Sequence, residues 1–170
     1  MPIPLPPHPV QPYDTTGDPM SSVMTLDRLT TLSGLSVLDH LDRSVSIPIL
    51  DGPQAQGDLI VLPRDLTPDV HCHAQYFTRP VPTTGLELLR STGGGNPHTL
   101  VAEGPGCRWG RFVIDPTRLA LGIVETTTVA YLIHPEHGAT GIAPGSYVIR
   151  RQREHGVGGP RFGTTQFVVD

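Results

Sequence analysis

The chain is expected to fold as an all-β protein, a small barrel or sandwich of short antiparallel strands with an N-terminal extended arm and one or two short helices. Three observations predict this. Short apolar or alternating runs recur through the last three-quarters of the sequence, each bounded by Gly, Pro, Asp or Asn. No long helical pattern interrupts them, and a parallel α/β sheet would need crossover helices. Finally, 19 Gly and 19 Pro in 170 residues supply the turns that such short elements require.

Residues 1–20 carry Pro2, Pro4, Pro6, Pro7, Pro9, Pro12 and Pro19, which favours an extended, polyproline-like arm that becomes ordered only against a partner. In the segment 21–45, Leu26, Leu29, Leu32, Leu35, Leu38 and Leu41 recur at every third position, interrupted by Ser33-Gly34. A strict three-residue period drifts around a long helix, so two short helices joined near Gly34 are predicted, with Ser33 capping the second. The leucines either pack at home on the β domain or dock another chain. The single β domain spans 46–170, with strands predicted at 46–50, 58–62, 70–77, 86–90, 99–103, 108–114, 119–125, 129–134, 146–153 and 164–169.

Composition narrows the function classes. The length supports one core, and a formal charge of -4 gives no overall attraction to nucleic acid or to an anionic membrane. No uninterrupted apolar stretch approaches the roughly 18 residues of a spanning helix, and the N-terminus lacks the pattern of a secretory signal. Two cysteines, Cys72 and Cys107, then read as reduced, buried thiols of a cytoplasmic protein. Neither sits in a local signature of a nucleophile.

Histidines are the chemically suggestive residues. On a strand, His71 and His73 share one face, as two ligands of one metal would, while Cys72 faces the other way. His134 and His137 flank a Pro-Glu turn at the end of the run 129–134, where Glu136 could orient an imidazole or act as a base. Pro135 opposes the helical geometry of a zinc-protease motif. His98 follows the loop Gly93-Gly94-Gly95-Asn96-Pro97. These five imidazoles could hold a divalent ion, zinc or iron, although the sequence demands no cofactor. Arg150, Arg151 and Arg153 form the one dense basic run, suited to an anion or a partner; without interleaved aromatics it does not read as a stacking platform for RNA.

The segments GGGNPHTLVAEGPG and HPEHGATGIAPGSYVIRRQREH together resemble a family of small uncharacterised bacterial proteins. Its members carry a Gly-His-Ala-His-type turn and a later His-x-x-His, Pro-x-Gly-x-Tyr-x-Val-x-x-Gln-Arg-Glu block. Asn96-Pro97-His98 here replaces the two histidines of the first motif, which removes one ligand of a shared metal site. The resemblance covers about the last half of the chain and implies a coherent domain without an assigned activity. A cupin-type metal site is disfavoured, because no glutamate follows His73 at that fold's distance and no second-motif histidine follows Gly145.

The function expected from the sequence is therefore a non-enzymatic binding or assembly module. It would dock through the arm and the leucine stripe onto another protein or a second copy, with neither nucleic acid nor membrane as partner. The alternative is a metal-dependent enzyme of a small β-barrel type, with His98, His134 and His137, joined by His71 and His73, as ligands and Glu136 handling protons.

Overall fold

A computed structural model of the chain describes residues 23–73, 75, 79–90, 95–155 and 165–167; the proline-rich arm at 1–20 lies outside them. One helix, α1 (Leu26–Ser33), precedes β1 (Ile49–Leu50), β2 (Gln54–Gln56), β3 (Leu59–Pro63), β4 (His71–Cys72) and β5 (Arg79–Pro80). Then come β6 (Leu86–Arg90), β7 (Pro97–Ala102), β8 (Cys107–Gly110), β9 (Val113–Ile114) and β10 (Ala120–Thr126). The chain continues through β11 (Ala130–His134), β12 (Gly138–Ile142), β13 (Gly145–Arg151), β14 (Arg153–His155) and β15 (Thr165–Phe167).

Two sheets face each other, one in the order β1-β12-β11-β7-β6 and one in the order β2-β3-β13-β10-β8-β5. The expected all-β architecture is thus present as a sandwich, antiparallel except for the pairing of β1 with β12. The link from β1 to β2 crosses between the sheets at one edge, and the link from β5 to β6 crosses at the other. Strand alternation explains the core between them. Leu100 and Ala102 of β7, Ala130 and Leu132 of β11, Cys107 and Trp109 of β8, and Tyr147 and Ile149 of β13 are all buried in one cluster, two residues apart on each strand.

The opposite faces are covered as well. On the five-stranded sheet, Val101, Tyr131 and Ile133 pack beneath Leu26, Leu29 and Val37. On the six-stranded sheet, Ile123 and Val148 pack against Val70, with Cys72 of β4 and Val113 of β9 beside them. The leucine-rich segment is accordingly part of the same body as the strands, and Thr25 bridges to Ser46 across the expected boundary.

Thr25 caps α1 by accepting the Arg28 amide at 3.2 Å, and Asp27 lies in the first turn, where a negative charge suits the helix dipole. The helix ends at Gly34, whose φ of 72° is left-handed. No second helix follows over 35–45, contrary to the expectation. Ser33 closes α1 instead of opening another helix: its hydroxyl donates to the Leu29 carbonyl and accepts the Leu35 amide. After the left-handed residue, Asp42 accepts hydrogen bonds from the Ser44 amide and hydroxyl, a local turn that competes with helix.

The stripe of leucines is divided between two roles. Leu26 and Leu29 are buried in the protein's own core and Leu35 and Leu41 pack partly against it, so these are removed from any docking surface; Leu32 and Leu38 remain exposed. Leu29→Ala is expected to cost about 2–5 kcal/mol by opening a cavity under α1. Leu32→Ala should stay within about 0.5 kcal/mol. Chemical denaturation measures both, and equal costs would contradict this assignment of faces.

Candidate functional site

The inward rows change character at one end of the sandwich. On the five-stranded sheet, the row Ala102-Leu100 ends in His98, and the row Ala130-Leu132 ends in His134. On the six-stranded sheet, Cys107-Trp109 leads to Arg111 and Tyr147-Ile149 leads to Arg151. The hairpin of β2 and β3 brings Gln56 and Asp58 to the same end.

His98 and His134 are each only 2% exposed. Their rings lie 4.3 Å apart, and His137 continues the row at 4.5 Å from His134. Asp58 Oδ1 lies 2.6 Å from His98 Nε2, a close contact between carboxylate and imidazole in the interior. Gln56 donates from Nε2 to the Leu132 carbonyl at 3.0 Å and to the Gly138 carbonyl at 3.4 Å, turning its Oε1 toward His98. Two sheets are thereby joined through a buried polar knot.

The turn beyond β11 is held just as closely. The Glu136 amide donates to His134 Nδ1 at 3.2 Å, so Nε2 carries the proton and donates to the Asn96 carbonyl at 3.3 Å. The Asn96 side-chain amide donates to Glu136 Oε1 at 2.7 Å. Glu136, the candidate base, is therefore engaged in binding one loop to another. Gly138 closes the turn at a φ of 76°, where a side chain would be strained.

The predicted imidazoles are only partly brought together. His98, His134 and His137 stack, whereas His71 lies in the ribbon of β4 and β9 on the outside of the other sheet and His73 follows the end of β4. The interplanar angles are 31° between His98 and His134 and 20° between His134 and His137. An imidazole lone pair lies in its ring plane, so rings stacked face to face send their lone pairs side by side and not to a common point. Among the described residues, no three of His, Cys, Asp and Glu are grouped to hold a metal ion.

The basic run is divided too. Arg150 points to the outer face and reaches Asp115 Oδ1 at 3.5 Å. Burial works against the Asp115 carboxylate, but hydrogen bonds from Ala120 and Thr117 outweigh it and hold the carboxyl below its ordinary value. Arg151 points inward, and the side chain of Arg153 lies outside the described residues. Both cysteines are free thiols, and burial pushes both up, so neither is disposed to act as a thiolate.

Next to the histidine row lies a cavity of about 320 Å³ that sequence reasoning missed. Its apolar wall is Trp109 with Leu86, Leu88, Leu89 and Leu121. Ladder register places it beside the knot: Leu89 pairs with His98, and Arg151 pairs with Leu59, the residue after Asp58. Register shifts occur between Glu87 and Leu89 on β6 and between Ala120 and Gly122 on β10. The extra residues of these two bulges, Leu88 and Leu121, both line the cavity.

Trp109 sits across Gly122. A Cβ at Gly122 would come within 2.6 Å of the Gly110 carbonyl and of Trp109 Cη2. The absence of a side chain is what lets the indole lie flat on β10.

This is a β-sandwich whose site is a mixed polar and apolar end. It belongs to the family described as Domain of unknown function (DUF8820), which matches residues 55–152, more than half of the chain. No curated protein and no solved structure matches it. The matched span holds the histidine row and every cavity residue, but not α1.

Two outcomes are expected here. Burial first, and then charge on His134, push His98 down from 6.5 to about 4, and the opposing pull of Asp58 does not compensate. The unfolded chain takes up a proton in that interval that folded His98 refuses, so stability is full above about 6.5 and falls as the pH drops toward about 4. Thermal unfolding across this range should give that slope, and His98→Gln should flatten it. Gly122→Ala should lower stability by about 1–3 kcal/mol and shift the emission of Trp109, the sole tryptophan.

Proposed function

We propose that this protein is a non-enzymatic binding module whose recognition site is the cavity beside Trp109. The observation that carries the reading is the convergence of two β-bulges, which turn Leu88 and Leu121 from two different sheets into one cavity. Bulges re-aim side chains at the cost of ladder hydrogen bonds, a cost that ordinary core packing does not require. Volume and lining suit a small molecule with a compact apolar body; about 300–1,000 Å³ is the range of such sites.

The groups best able to perform proton chemistry are committed elsewhere. Asp58 and His98 are buried against each other, His134 is bonded to Asn96 and the Glu136 amide, and Glu136 is bonded to Asn96. Association with another protein or a second copy is assigned to the arm at 1–20 with Leu32 and Leu38, the exposed remainder of the stripe. The two free thiols favour a reducing, cytoplasmic setting, and among the described residues no helix is long and apolar enough to cross a membrane. The terminal block from His134 to Glu154 supports a bacterial origin.

The alternative, a metal-dependent enzyme, rests on the nearness of His98, His134 and His137, with zinc or iron as the ion and Glu136 as the base. Metal analysis of the purified full chain separates the readings. A binding module should carry less than stoichiometric zinc and iron and keep its unfolding curve after chelation. Stoichiometric metal lost in both His134→Ala and His137→Ala would overturn it. Titration with neutral hexanamide should give a saturable change in Trp109 emission; no response to this or any other small amphiphile would count against the cavity.

A further inference from the structure

We infer that the cavity recognises a small amphiphilic anion, a carboxylate or phosphate head group on a compact apolar tail, with Arg79, Arg111 and Arg151 as the head-group subsite. This rests on the reading of the cavity as the recognition site. The three arginines line the same space as Trp109 and the bulge leucines. Arg79 and Arg111 are exposed, at the rim, and Arg151 is half-buried, in the wall.

Charge is concentrated here against the balance of the chain, which is -4 overall. The ion pairs among the described residues engage Arg28, Arg43, Arg64, Arg90 and Arg150. Arg79 and Arg111 have no acidic partner among those residues. The one carboxylate in the lining, Glu87, is already held by Arg90, with Nη2 at 2.7 Å and Nε at 3.0 Å. An anion entering the site therefore meets the guanidinium forks of Arg79 and Arg111, whose donors match two oxygens at once, and the one carboxylate in the lining is already engaged by Arg90.

Position explains the pairing with an apolar tail. Arg111 and Arg151 are the last members of the inward rows that contain Trp109 and Ile149. A ligand lying along the row would leave its tail against indole and leucine and its head at the arginines. Arg79 pairs with Trp109 across the β5–β8 ladder, which brings a third guanidinium to the same mouth.

The sole tryptophan supplies the readout. Full-length protein is titrated with hexanoate, hexyl phosphate and neutral hexanamide, and Trp109 emission is followed. One or both anions should bind at least tenfold more tightly than hexanamide, with the preference shrinking as salt is added. The stronger of the two identifies the head group. Arg79→Gln and Arg111→Gln, both at exposed positions where folding is not at stake, should each reduce the preference for the anions over hexanamide at least threefold. Hexanamide binding as tightly as both anions, or preferences untouched by both substitutions, would overturn the inference while leaving the cavity reading in place. Failure of all three compounds to bind would overturn both.

Discussion

Strand alternation is the constraint on which the rest of this structure depends. Because every second residue of a strand faces inward, each strand contributes a row to the space between the sheets, and the row must stay apolar for as long as the opposing sheet covers it. Leu100, Leu132, Trp109 and Ile149 meet that demand. One step further along each row the residues become His98, His134, Arg111 and Arg151. The core ends there because the chemistry changes on both sheets at the same level, and the site is the consequence of that shared boundary.

The two sheets handle the change differently. On the five-stranded side the polar residues are engaged locally: Asp58 lies against His98, Gln56 bonds two carbonyls, and Asn96 bridges His134 and Glu136. A polar group left unpaired in the interior costs more than a bond contributes, which is why these contacts are made across short distances within the cluster. The cluster also ties the β2–β3 hairpin to β7, β11 and β12, which fixes the separation of the sheets at this end. That fixed gap is what allows a cavity to persist next to it without collapsing.

The alternation that defines the core was legible in the sequence, and 86–90 was placed without error. Three strands were not. Gln54–Gln56 is polar and Arg79–Pro80 is two residues long, and neither carries a β-branched or aromatic residue; in Gly138–Ile142 two glycines interrupt Thr140 and Ile142 and mask the strand pattern. The sequence offers His98, His134 and His137 together with His71 and His73 as candidate ligands, whereas it does not single out Asp58 as the neighbour of His98. Gln54 and Gln56 come to face Val61 and Leu59 only across the turn at Gly57, a hairpin pairing that alternation along a single strand does not reveal. The cavity was hidden for a different reason. A bulge is a register fact belonging to two strands at once, and nothing within 86–90 or 120–126 alone announces it.

The division of labour between imidazole and guanidinium follows from burial. An imidazole can shed its charge, and His98 does so when buried against His134, so His98 itself is uncharged beside the cavity near neutral pH. A guanidinium cannot shed its charge under any ordinary condition, so it must remain where water or an anion can reach it. Arg79 and Arg111 accordingly occupy the rim, while Arg151 reaches in from the wall. The same end of the sandwich thus holds a buried imidazole, His98, that stays neutral and a permanent cationic layer at the rim. The attraction of the site for anions consequently comes from the arginines, and protonation of His98 acts first on the fold that holds it.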